Sequence, residues 1–144
     1  MKILLLNGPN LDRLGERQPE IYGRTTLAEI VSRLRARCEA AGAELHAIQS
    51  GAAVDLVRAI RETPADAIIV NPASLTHHDR SLAAALAEFE GPVVEVHISN
   101  IHRREPYRRR SLVAPVATGS VVGLGVRGYA LALEAVLDEL QEQT

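Results

Sequence analysis

Apolar positions along the chain fall into two kinds of run that alternate. Ile3-Leu4-Leu5-Leu6 and Ala67-Ile68-Ile69-Val70 are short and continuously apolar, and Val93-Val94-Glu95-Val96 is nearly so. Such runs predict strands buried on both faces. Glu44 to Gln49 and Thr118 to Val122 predict two more strands. Between them the apolar residues recur at helical spacing. Leu27, Ile30, Val31, Leu34, Cys38 and Ala41 form one stripe. It follows a Thr26–Glu29 capping box and stops at Gly42. A second helix covers about Val54 to Glu62, with Val54, Val57 and Ile60 facing inward. A third runs from about Asp79 to Glu88, with Leu82 and Leu86 on one side. The last runs from Gly125 to about Gln141, with Leu133, Val136, Leu137 and Leu140 packed.

The order is βαβαβαβαβα. Strands buried on both sides and joined by helices require a parallel sheet with right-handed crossovers. The expected fold is therefore α/β: a doubly wound, five-stranded parallel sheet in a three-layer sandwich. Ligands of such folds bind beyond the carboxyl ends of the strands. Those ends carry Asn7-Gly8-Pro9-Asn10, Gln49-Ser50, Asn71-Pro72 and His97-Ile98-Ser99. Four polar clusters from distant segments converge on one rim, which marks a site.

Two polar stretches interrupt the pattern. Leu11 to Arg24 is too long and too charged for a passive connection, so it reads as a functional loop. Ser99 to Arg110 is a polar, basic loop. No repeat, linker or low-complexity segment divides the chain, so residues 1–144 are expected to form a single domain.

Composition narrows the function. The 144 residues are 47% hydrophobic, enough for one packed core. A net charge of −2 argues against a nucleic-acid partner. The lone Cys38 excludes an intrachain disulfide and lies on a helix stripe as a core residue. No signal peptide or apolar run of membrane-spanning length is visible, so a soluble cytoplasmic protein is expected. Aromatic residues are few: three Tyr, one Phe and no Trp.

Chemistry is carried by few residues. Side chains alternate along a strand, so Glu95, His97 and Ser99 share a face. A carboxylate beside an imidazole fixes its tautomer and raises its basicity. Tyr22 sits in the 11–24 loop near Arg13, Arg17 and Arg24. A tyrosine serves as a base near neutral pH only where a cation favours its phenolate. Together, a Tyr base, a His acid and the amides of Asn10 and Asn71 suit proton abstraction beside a carbonyl followed by elimination. No cofactor is called for. The P-loop pattern is absent, and Gly123-Leu124-Gly125 lacks the context of a dinucleotide fingerprint. His77-His78-Asp79 has no supporting Cys, and its adjacent side chains diverge, so no metal is expected.

These residues are similar to those of a known family. Asn7-Gly8-Pro9-Asn10-Leu11, Leu14-Gly15, Arg17-Gln18-Pro19, Tyr22-Gly23, Gln49-Ser50, Asn71-Pro72, Thr76-His77, Glu95-Val96-His97-Ile98-Ser99-Asn100 and Gly123-Leu124-Gly125 resemble type II 3-dehydroquinate dehydratase. The resemblance implies a flavodoxin-like fold and a homo-oligomer, a dodecamer of four trimers. It implies dehydration of 3-dehydroquinate to 3-dehydroshikimate, in aromatic biosynthesis or quinate catabolism. Tyr22 would be the base, favoured as phenolate by Arg17. Asn10 would stabilise the enolate through a water. His97 would be the acid, oriented by Glu95. Asn71, Ile98 and Ser99 would receive the substrate carboxylate, and His77 and Arg108 the ring hydroxyls.

Three segments depart from the family pattern. Gly51-Ala52-Ala53 replaces a polar Asn-x-Glu-Gly, Ala84 stands where an Asp is frequent, and His78-Asp79 replaces a common Thr-Ser. They leave the base, acid and enolate groups in place. The alternative reading is a divergent member with shifted specificity or a non-catalytic binding role. A flavin or phospho-receiver protein fits poorly, because the first strand lacks a phosphate loop and the third ends in Asn71 rather than Asp.

Overall fold

A computed structural model describes residues 1–143. Five strands form its centre: β1 (Lys2–Asn7), β2 (Glu44–Gln49), β3 (Ala67–Asn71), β4 (Val93–His97) and β5 (Gly119–Val122). All pair in parallel, in the order β2-β1-β3-β4-β5. This is the flavodoxin-like doubly wound arrangement, whose strand order reverses beside β1 and β3. Five helices accompany the sheet: α1 (Pro19–Tyr22), α2 (Leu27–Ala40), α3 (Ala53–Glu62), α4 (Arg80–Glu88) and α5 (Arg127–Glu142).

The continuous apolar runs are explained by which face each residue serves. Ile3 and Leu5 of β1 join a core with Ile69, Val94, Val96 and residues of α2 and α5. Leu4 and Leu6 join a second core with Ile68, Val70, Val93 and residues of α3 and α4. Alternate residues of one strand thus feed two cores, and the result is three layers. Burying each such Leu or Ile contributes about 1.5–3 kcal/mol.

The helix readings hold with shifts at the ends. Thr26 caps α2 by accepting from the Glu29 N–H at 3.2 Å. Asp79 caps α4 by accepting from the Leu82 N–H at 2.9 Å. One inward reading is corrected: Val54 is 60% exposed. The buried side of α3 is Leu56, Ala59 and Ile60. The true stripe is set by Leu56, four residues from Ile60, which rotates Val54 to the outside. β5 begins at Gly119 and α5 at Arg127, each slightly later than the sequence pattern placed them.

The 11–24 segment also differs from a plain loop. Leu11–Arg13 forms a 3₁₀ turn, and Pro19–Tyr22 is the one-turn helix α1. Leu11 and Leu14 are buried and tether the start of the segment, whereas α1 buries no residue completely. Two further 3₁₀ turns, Ile101–Arg103 and Pro106–Arg108, shape the basic loop.

β1 and β3 extend one residue beyond their apolar runs, through Asn7 and Asn71, which pair in register. Just after β1, the Gly8 N–H donates to the Asn71 carbonyl at 2.8 Å. A Cβ on Gly8 would stand 2.3 Å from the Pro72 carbonyl oxygen. Only glycine lets the two strand ends run this close.

Candidate active site

The carboxyl ends of β1, β3 and β4 open onto a cavity of about 510 Å³. Each strand delivers a group to it. The turn after β1 brings Asn10, whose φ of 67° is the left-handed conformation that Asn tolerates. β3 ends in Asn71, and the 3₁₀ turn Ala73–His77 that follows brings His77. β4 brings His97, and the bend beyond it brings Ile98 and Ser99. The 11–24 segment closes one side with Arg17 and Tyr22, and the basic loop closes another with Arg104 and Arg108. Asn10, Arg17, Tyr22, Asn71, His77, His97, Ile98, Ser99 and Arg108 all line this one cavity.

Glu95 stands behind this wall. It is 1% exposed, and its Oε2 lies 2.6 Å from His97 Nε2. Thr76 Oγ1 donates to Oε2 at 2.6 Å, and Ser111 Oγ lies 2.9 Å from Oε1 and 2.8 Å from Oε2. Burial pushes this carboxyl up, but the His97 contact and the two hydroxyls outweigh it and hold Glu95 below the usual carboxylate range. A charge buried this deeply persists only when it is paired and hydrogen-bonded.

His77 is oriented in its own way. Its Nδ1 lies 2.7 Å from the Arg110 carbonyl oxygen. A carbonyl only accepts, so Nδ1 carries a proton, and in the neutral ring Nε2 is then the acceptor.

Tyr22 is contacted by a residue that sequence proximity did not suggest. Arg104 Nη1 donates to the Tyr22 hydroxyl oxygen at 3.3 Å. Arg17 lines the cavity, but the guanidinium bonded to the phenol is that of Arg104. The two residues are 82 positions apart. The earlier signal for Arg104 was only its place in a basic loop beside the β4 end.

Tyr129 of α5 was also missed. It is 1% exposed and lies under the switch point. Its hydroxyl donates to Asn7 Oδ1 at 2.7 Å and accepts from Asn71 Nδ2 at 2.9 Å. Asn71 Oδ1 accepts the Ala73 N–H at 3.1 Å. Burial pushes the Tyr129 phenol far above its ordinary range, so it is a neutral hydrogen-bonding strut. Tyr129→Phe should cost about 1–3 kcal/mol of unfolding free energy, because two buried amides lose their partner. Urea denaturation followed by far-UV circular dichroism measures this.

Among the described residues, no group of three or more His, Cys, Asp or Glu side chains is arranged to hold a metal ion. None of the described helices is long and apolar enough to cross a membrane.

Comparison with known proteins identifies the family. The family described as Dehydroquinase class II matches residues 1–137. The chain belongs to this family. It is 51% identical over 140 residues to the 3-dehydroquinate dehydratase of Roseiflexus castenholzii, covering 95% of this chain and 88% of that one. Its fold superposes on the crystal structure of type II dehydroquinase from Butyrivibrio crossotus with a TM-score of 0.91. That match has 36% identity over 94% of this chain and 97% of the other. The type II dehydroquinase of Propionibacterium acnes gives a TM-score of 0.87 at 38% identity, over 95% and 96% of the two chains. Within the class II dehydroquinase family, the cavity at the β1–β3–β4 rim is the natural candidate for the active centre.

Proposed function

We propose that this chain dehydrates 3-dehydroquinate to 3-dehydroshikimate by an enolate-type anti elimination carried by Tyr22 and His97. Tyr22, as phenolate, takes a proton from the carbon beside the ketone. Arg104 donates to the Tyr22 oxygen at 3.3 Å, and Arg17 stands in the same wall. The electron pair moves onto the ketone oxygen, which Asn10 stabilises through a bridging water. Collapse of the enolate expels the hydroxyl, and His97 protonates it so that it leaves as water. Glu95 holds the His97 ring.

The remaining groups place the substrate. Ile98 and Ser99 at the β4 end receive its carboxylate, together with the Asn71 Nδ2 proton not given to Tyr129. His77 Nε2 accepts from a ring hydroxyl, and Arg108 donates to another. Closure of the 11–24 segment over the bound substrate excludes water and completes the geometry.

The observation that carries this reading is that Tyr22 and His97, from distant segments, line a single cavity. The experiment is direct. Purified chain mixed with 3-dehydroquinate should raise conjugated-enone absorbance, without added metal or coenzyme. A flat trace would favour the non-catalytic binding role.

We further propose a homo-oligomer, a dodecamer of four trimers. Family membership supports it, as do the exposed apolar side chains Val54, Leu124 and Leu131. Light scattering on the purified chain tests this; a monomer would overturn it.

A further inference from the structure

We infer that Thr76 and Ser111 are positioning residues: their hydroxyl protons, steered by two backbone amides, keep Glu95 an acceptor and so fix which nitrogen of His97 works in the cavity. The inference deepens the proposed dehydration and rests on that reading for its catalytic arm only.

Protons and lone pairs fix the direction of each bond in this cluster. Ser111 Oγ accepts the N–H of Val113 at 3.1 Å and that of Ala114 at 2.9 Å. A hydroxyl oxygen has two lone pairs and one proton. With both lone pairs engaged, Ser111 can act further only as a donor. Its proton has Glu95 at 2.8–2.9 Å and Thr76 Oγ1 at 2.8 Å within reach. The charged oxygen is the stronger acceptor.

Thr76 is constrained in turn. Ser111 has no free lone pair for the Thr76 proton, so that proton goes to Glu95 Oε2 at 2.6 Å. Thr76 is itself fully buried. Glu95 therefore meets two hydroxyl donors, and hydrogen bonds to the anion favour the anion. The proton in the 2.6 Å contact between Glu95 Oε2 and His97 Nε2 then stays on the imidazole.

The other ring nitrogen is thereby assigned its task. His97 Nδ1 makes no hydrogen bond among the described residues and is not sealed from solvent. It is the nitrogen that gains and gives the proton transferred to the departing hydroxyl. The 113–114 turn, outside the cavity wall, thus sets the orientation of the acid inside it.

Protein labelled with ¹⁵N at histidine tests this without substrate. Its His97 signals are assigned by difference from His97→Asn. As the ring passes from charged to neutral, Nδ1 should lose its proton and Nε2 keep it. Loss from Nε2 instead would overturn the inference, whether or not the Thr76 and Ser111 variants fold.

The second arm uses Thr76→Val and Ser111→Ala. Each should lower kcat about 10- to 100-fold, less than the ~10⁴-fold that corrupting a triad carboxylate costs. KM should stay within about twofold, because neither side chain lines the cavity. Thr76→Ser keeps the donor and should retain most of kcat. Unchanged kcat in both variants, or a Thr76→Ser loss equal to that of Thr76→Val, would overturn it. An inactive native chain would refute the dehydratase reading and leave the tautomer result standing.

Discussion

Tyr22→Phe is expected to lower kcat by about 10²- to 10⁴-fold, the range that a positioned acid or base supplies. The change removes one oxygen and keeps the ring that packs partly against the core. The lost contact is a single 3.3 Å bond from Arg104, on a partly exposed segment. The fold should therefore survive, with unfolding free energy changed by less than about 1 kcal/mol. Enone absorbance gives the rate, and circular dichroism shows that the variant is folded. KM should move little, because the phenol is assigned work in the transition state rather than in holding the substrate. Near-normal turnover would mean that the base lies elsewhere.

His97→Ala should cost a similar factor in kcat, for a different reason. Loss of the acid leaves the departing hydroxyl to be protonated by water alone. This variant should also lose stability, by about 1–3 kcal/mol, because buried Glu95 loses a donor at 2.6 Å. Thr76 and Ser111 still hold that carboxylate, so the protein should fold. Single-turnover assays and urea titration separate the two effects. Turnover close to native would remove His97 from the mechanism.

Periodicity along the chain carries much of this fold. The apolar runs of β1, β3 and β4 and the stripes of α2 and α5 were legible because burial on a fixed face leaves a fixed spacing. The N-cap at Thr26 was legible from equally local sequence. The strand ends were harder. Asn7 and Asn71 look like turn residues, and what keeps them in the sheet is Tyr129, 122 and 58 positions away. No local pattern announces such a partner. The same limit applies to Arg104, which reaches Tyr22 only through the fold. Val54 failed for a narrower reason: on a ten-residue helix, two offset stripes score almost alike, and only packing chooses between them.

The basic and acidic partners rest on foundations of unequal strength. His97 ends a strand whose residues are all buried, while Tyr22 belongs to a single helical turn that buries nothing fully. Segments with so little burial open at far lower free energy than the sheet beneath them. Heating should therefore extinguish turnover well below the melting point of the sheet, and cooling should restore it. A protease cut within residues 18–24 would leave a well-folded protein that has lost its function.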